Sequence, residues 1–274
     1  MDYASDKKQD SKVQQQSKSL PSPAISAMES SADAQKYNQY VGMVRACGYD
    51  LDESVGNVNV IGIRGWMDGN VVENVKNQYN DSIIVVYKTA VGDYECKHCK
   101  EFLASVDPGT YSGVNAKGSA NLMCGQYEYG TGRHKDKYDA FTPTEESYVW
   151  RDKNNDGKRE ETDIEESGNF GINIHAAGYV ENGVNDWSEG CQVIASSSKG
   201  ITGSSLAENN AENHPEFNEF RSTILENDKD HKFIYTLING DTALSNYNVS
   251  IADKRRAQIA RLMRGQGGNT PTTK

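Results

Sequence analysis

Two short apolar runs carry the residues best suited to chemistry. The first is Gly171-Ile172-Asn173-Ile174-His175-Ala176-Ala177-Gly178, and the second is Asn185-Asp186-Trp187-Ser188-Glu189-Gly190-Cys191-Gln192-Val193-Ile194. A histidine ends one run, a cysteine begins the other, and a glycine-containing loop joins them. Neighbouring strands connected in this way can bring an imidazole within reach of a thiol. A free thiol, with a pKa of ~8.5, is a weak nucleophile at neutral pH, and an adjacent imidazole raises its thiolate fraction. Gly190 lets a substrate carbonyl approach the backbone closely, and N–H groups there could hold an oxyanion. The plain alternative is that Cys191 is a small buried hydrophobe at the start of a strand.

The elements that must position these residues are mostly strands. Short β-branched or apolar runs at 58–63, 82–87, 101–106, 121–129, 147–151, 171–175, 191–195 and 232–238 alternate with turn signals such as Asp68-Gly69-Asn70 and Asp107-Pro108-Gly109. Helical spacing appears at 34–47, through Tyr37, Tyr40, Val41, Val44 and Cys47, and at 215–226, through Phe217, Phe220, Ile224 and Leu225. The expectation is a mostly β fold, a mixed β-sheet or sandwich with a few short helices. Residues 1–34, a Ser/Gln-rich tract without apolar periodicity, read as a disordered arm. Residues 35–245 read as a single catalytic domain, and 246–274 as a basic, partly flexible tail.

Composition narrows the function. The chain has 274 residues, with 29 Lys and Arg against 39 Asp and Glu, a net charge of −10. That balance argues against a broad nucleic-acid surface, which needs clustered cations. No run approaches the ~18 apolar residues of a membrane span. The N-terminus lacks the basic-then-apolar pattern of a secretory signal. Five cysteines, Cys47, Cys96, Cys99, Cys124 and Cys191, make an odd count that suits free thiols.

The order His-x-x-Gly, then Ser-x-Gly-Cys about ten residues later, resembles the active-site signature of the L,D-transpeptidase catalytic domain. His175, Gly178, Ser188, Gly190 and Cys191 meet it. The resemblance implies a mostly β fold of that type and a cysteine enzyme acting on peptidoglycan stem peptides. Cys191 would be the nucleophile and His175 its proton acceptor. The Ala176 carbonyl would replace the acid of a triad, while Ser188 and Gly190 would shape the nucleophile turn. Acyl transfer to an amine would give a cross-link or an exchanged D-amino acid, and transfer to water would give L,D-carboxypeptidase activity. Such a substrate lies in the periplasm or cell wall. With no classical signal, the expectation is delivery by a dedicated secretion system or phage, as an antibacterial effector with an immunity partner.

Two departures matter. Many members of that family carry His before the Gly-Cys pair and Arg two places after the Cys, where this chain has Glu189 and Val193. Glu189 would raise the thiol pKa. The segment with Tyr127, Tyr129, Arg133 and His134 is expected to face His175 as a substrate groove, with Arg133 supplying the missing cation. Gly178, Trp187 and Glu189 complete the expected substrate-binding set.

Three further motifs have alternative readings. Residues 152–163 follow calcium-loop spacing, with Asp152, Asn154, Asp156 and Asp163 as oxygen donors and Gly157 at the sixth position. Asp163 stands where Glu is usual, so a metal-free polar turn is the plainer reading and no cofactor is required. A calcium-stabilised, non-catalytic β-module that binds cell wall or a partner protein is the alternative function. Cys96-Lys97-His98-Cys99 reads as half a zinc site, or as an exposed hairpin whose two thiols could pair. His214 and His231 read as surface or capping residues.

Overall fold

The computed structural model describes residues 31–110, 116–208 and 214–266, with side chains through 261. In chain order the elements are α1 (Ala32–Ala46), β1 (Val58–Arg64), β2 (Trp66–Met67), β3 (Asn70–Val71), β4 (Asp81–Val91), β5 (Tyr94–Ser105), β6 (Ser119–Leu122), β7 (Gly125–His134), β8 (Tyr138–Pro143), β9 (Ser147–Asp152), β10 (Ile164–Gly168), β11 (Ile174–Tyr179), β12 (Gln192–Ser196), α2 (Gly203–Glu208), α3 (Pro215–Asn227), β13 (Lys232–Asn239) and α4 (Gly240–Gln266).

The fold is mostly β, and its main sheet closes on itself. The order is β1-β13-β7-β8-β11-β12-β5-β4, with β4 returning to β1. The mixed sheet expected from the strand pattern thus closes into a barrel. Closure comes from the parallel pairing of β1 with β13, which sets Asn59 beside Ile234 and Arg64 beside Asn239. Strands from opposite ends of the domain meet there, a long-range pairing with no local signature. The second parallel pair, β11 with β12, sets His175 beside Val193. All other ladders of this sheet are antiparallel.

The continuous apolar run Ile83-Ile84-Val85-Val86 is explained by burial on both faces. Ile83 and Val85 join the barrel interior with Val60, Phe102, Tyr129, Phe141, Ile174 and Tyr235. Ile84 and Val86 face outward with Ile61 and Ile63, under Tyr37, Tyr40, Val41 and Val44 of α1. Ser31 caps α1 by accepting from the Ala34 N–H at 3.1 Å. Tyr40 then pins it to the barrel, its hydroxyl donating to Glu101 at 2.8 Å and accepting from the Trp66 indole at 3.2 Å. Helix α3 adds Phe217, Phe220 and Ile224 to the interior cluster.

Several local expectations shift. The run at 121–129 is two strands, β6 and β7, divided at Met123 and Cys124. His175 stands near the start of β11 rather than at the end of a strand, because residues 171–173 form a loop before it. Cys96 and Cys99 lie three apart on β5, and alternating side chains put them on opposite faces. They cannot pair with each other. Cys99 packs under α1, while His98 stacks on Tyr87 at 4.8 Å. Helix α4 runs unbroken through the expected boundary at 245/246, with Ala243 buried beside α1. The arm at 1–30 and the terminal residues 267–274 lie outside the described residues. Among the described residues, no helix is long and apolar enough to cross a membrane.

Candidate functional site

Cys191 ends a tight turn whose shape is fixed by its neighbours. The Ser188 hydroxyl donates to the Cys191 carbonyl at 2.7 Å and accepts the Gly190 N–H at 3.1 Å. The Ser188 carbonyl accepts the Gly109 N–H at 3.0 Å, tying the turn to the segment after β5. Gly190 has φ +153°, and a Cβ there would sit 2.5 Å from the Ala120 carbonyl oxygen. Only glycine fits. The Gly190 N–H is engaged by the Ser188 hydroxyl, so an oxyanion would need other N–H groups of the turn.

Below the turn, fully buried Gln192 donates to the Gly190 carbonyl at 3.2 Å and accepts the Tyr235 hydroxyl at 2.8 Å. Tyr129 holds the opposing wall, its hydroxyl donating to the Ile172 carbonyl at 2.8 Å. Gln192 and Tyr235 escaped the sequence reading because a polar residue inside a strand-like run gives no cue to its partner on β13. Gln192→Leu should leave the Tyr235 hydroxyl buried without its acceptor and cost about 1–3 kcal/mol. A thermal melt checks this, and an unchanged Tm would show that the pair holds nothing in place.

His175, on β11, is completely buried. Its Nδ1 donates to the Ala176 carbonyl at 2.7 Å, and its Nε2 has no hydrogen-bond partner. His134, at the end of β7, packs against it with ring centroids 4.1 Å apart and planes tilted by 35°, and Tyr138 packs against both rings. Asn173 Nδ2 lies 3.1 Å from His134 Nδ1. One ring nitrogen of each histidine and Cys191 Sγ all lie within 4.8 Å of one another. The trio combines a nucleophile, a base and a third donor, and it is also a metal-ligating donor set.

Burial dominates the electrostatics. It pushes the Cys191 thiol up to about 11, against smaller lowering effects from the Asn173 backbone N–H and Lys135; Glu189 adds a smaller upward push. Burial likewise drives His175 down to about 3, helped by neighbouring His134 and opposed by the Ala176 hydrogen bond. His134 falls to about 4, again chiefly through burial. Burial therefore favours a protonated thiol and two neutral imidazoles over an ionised sulfur.

Cys191 nevertheless opens on a cleft of about 500 Å³. Its walls include His134, Lys135, Arg151, Asn173, Trp187 and Glu189. Lys135, at the β7–β8 turn, approaches Glu189 at 3.8 Å across the mouth. Arg151 faces the cleft with its Nε donating to Glu166 at 2.7 Å. Of the expected substrate-binding set, His134, Trp187 and Glu189 line this cleft, and Gly178, Tyr127, Tyr129 and Arg133 do not.

Each absence has a local cause. Arg133 is held within its own hairpin, donating to the Lys137 carbonyl at 2.6 Å and lying 3.4 Å from Asp139. The cations at the cleft are Lys135 and Arg151 instead. Tyr127 points into the core and donates to the Met123 carbonyl at 2.8 Å. Tyr129 acts only through the loop it supports. Gly178 leaves room for the Trp187 indole, which meets its backbone too closely for any Cβ.

The calcium-like loop is internally engaged. Asp152 is fully buried and accepts from the Asp156 and Gly157 N–H groups at 3.1 and 2.7 Å and from Lys76 Nζ at 3.2 Å. Lys76 also donates to the Asn155 carbonyl at 2.7 Å and to the Asn155 side chain. Asp163 turns away to accept the Glu160 N–H at 2.7 Å. Asn154 contacts only Asp156 nearby, at 3.2 Å. Lys76 therefore neutralises Asp152, the first of the expected oxygen donors. His214 is buried and caps α3, its Nδ1 accepting the Phe217 N–H at 3.0 Å. His231 is exposed at a positive-φ turn position.

Compared with known proteins, the chain matches no family model, no curated protein and no solved structure.

Proposed function

We infer that the chain is a cysteine enzyme of acyl transfer on peptidoglycan stem peptides, an L,D-transpeptidase or L,D-carboxypeptidase. The observation that carries this reading is that Cys191, in the lining of an open cleft, lies within 4.8 Å of a ring nitrogen of His175, whose Nδ1–H is fixed on the Ala176 carbonyl and whose Nε2 is left without a partner. That arrangement fixes the neutral tautomer with its basic nitrogen free, as a general base requires. The Ser188, Gly190 and Cys191 turn and the His175-x-x-Gly178 spacing support the assignment of reaction class.

The chemistry follows from the neutral resting pair. As Sγ attacks the substrate carbonyl carbon, the thiol proton passes to His175 Nε2. The carbonyl oxygen takes up the negative charge, and the Asn173 backbone N–H, which interacts with the sulfur, is a donor available to it. Collapse of the intermediate breaks the peptide bond, and the departing amine takes the proton back from His175. A thioester remains on Cys191. An amine acceptor then yields a cross-linked or exchanged product, while water yields the shortened stem. Because the thiol proton moves to the imidazole only as the sulfur attacks, the low-dielectric setting penalises ionisation at rest and disfavours reaction without substrate.

The cleft mouth suits a peptide carrying both charges. Lys135 and Glu189 meet at 3.8 Å there, and Arg151 also lines the cleft. A substrate in the cell wall also implies action outside the cytoplasm, with delivery as a secreted antibacterial effector and protection of the producer by an immunity protein.

Turnover of tetrapeptide muropeptides, followed by mass spectrometry, tests the reading. Release of the terminal D-residue or formation of cross-linked dimer is expected, and neither product would overturn it. The pH profile is a second constraint. Since His175 is held at about 3 and Cys191 at about 11, both stay in their competent neutral forms between those values. The acid limb of kcat/KM should fall below pH 5. A limb centred near pH 6.5 would mean an ordinary imidazole and would contradict the buried pair.

A further inference from the structure

We propose that His134, His175 and Cys191 form a binding site for a single zinc-class divalent cation, with its fourth coordination position open to the cleft. The three donors come from separate segments: the end of β7, the start of β11 and the turn before β12. Their ligand atoms lie within 4.8 Å of one another, and all three residues are buried. A tetrahedral zinc with bonds of about 2.0–2.1 Å to nitrogen and about 2.3 Å to sulfur brings its ligand atoms to roughly 3.3–3.6 Å apart. Side-chain rotations of about an ångström close that difference.

The surroundings resemble those of a built metal site more than of a chance cluster. His175 Nδ1 donates to the Ala176 carbonyl, an outer contact that orients the ring, and the opposite nitrogen is buried without a partner. Such an orphaned nitrogen is costly unless something binds it. His134 Nδ1 meets the Asn173 carboxamide at 3.1 Å, and either end of that amide can face the ring and so set its tautomer. The donor set, two imidazoles and a thiolate, selects zinc-class ions over calcium or magnesium, which take oxygen ligands. The cleft provides the entry path and room for a water or substrate oxygen at the fourth position.

Binding forms a sulfur–metal bond at Cys191 and releases the thiol proton to solvent. A consequence follows that rests on the acyl-transfer reading: the metal-bound sulfur no longer attacks a carbonyl, so the ion holds the enzyme silent until it is removed.

The test uses the full chain, stripped of metal and titrated with zinc by calorimetry and with cobalt by absorbance. One equivalent per chain is expected, with a thiolate-to-cobalt charge-transfer band. Cys191→Ser and His134→Asn should each weaken binding about a hundredfold or more, whereas Cys96→Ser should change nothing. His134→Asn is the decisive variant, because a cysteine–histidine pair alone would survive it. Circular dichroism verifies folding, and if His134→Asn fails to fold, Cys191→Ser and the cobalt band decide. Absence of the band, or stoichiometric binding that is indifferent to these substitutions, overturns the site. Binding is read without substrate, so failure of the metal site and failure of the acyl-transfer reading are separate results.

Discussion

Cys191→Ala is expected to abolish acyl transfer, lowering muropeptide turnover by about a thousandfold or more, while leaving the fold intact. The thiol donates one long hydrogen bond, 3.6 Å to the Gly171 carbonyl, and meets the Asn173 backbone N–H. The turn around it is held by Ser188 and Gln192, so removing the sulfur atom removes chemistry and little else. The same substitution should eliminate the covalent adduct that a carbapenem leaves on the wild-type chain, read as intact mass. His175→Ala should cost about 10²–10⁴-fold, with the adduct forming slowly rather than not at all. Turnover unchanged in the cysteine variant would remove the sulfur from the reaction. A thermal melt beside the activity assay separates the two effects, because loss of activity through unfolding would lower Tm and loss of the nucleophile would not.

The electrostatics sharpen that expectation. A thiol raised by burial and an imidazole lowered by it disfavour a standing thiolate–imidazolium pair. The cysteine is reached through the cleft but is not activated until a carbonyl accepts its electrons. Lys135 and Glu189 exert only secondary and opposing effects on the sulfur, and both are more than half exposed. Their pairing is worth little to stability, which leaves them available to meet charged groups of a ligand.

Local pattern made much of this legible. The strands at 58–63, 147–151, 191–195 and 232–238 lie close to where alternation and β-branching put them, and the helices at 34–47 and 215–226 differ by at most two residues at an end. Each carries its own signal, such as the Pro215 start of α3 or Tyr37 and Tyr40 three apart in α1. Barrel closure was invisible because β1 and β13 are separated by most of the chain and nothing in either names the other. β8 was missed because Tyr138-Asp139-Ala140-Phe141 alternates only weakly and sits directly after the charged turn of β7. Within the site, residues close in sequence were legible: His175, Ser188, Gly190 and Cys191 meet as the spacing suggested. Those brought in by the barrel were not. Asn173, Gln192 and Tyr235 matter through partners on other strands, and Arg133 was displaced by Lys135 because a hairpin turn, rather than a strand face, reaches the cleft.

Gly190→Ala should be the most damaging substitution that leaves every catalytic side chain in place. The added methyl would meet the Ala120 carbonyl oxygen at 2.5 Å, and the φ of +153° is one that a side chain resists. Ala120 belongs to β6, where it pairs with Arg151 of β9, so the oxygen cannot simply retreat. The turn must move instead, which breaks the bonds of Ser188 to Gly190 and Cys191 and shifts Sγ relative to His175. A displacement of about 1 Å at a reacting atom costs on the order of a hundredfold in rate. Strain of this kind costs roughly 1–3 kcal/mol, enough to lower Tm by about 2–12 °C in a domain of this size. The joint result, a destabilised but folded protein with a present yet ineffective cysteine, is read by thermal melt, carbapenem adduct rate and turnover on one sample. Full activity with an unchanged melt would show that the nucleophile turn is not built on this glycine.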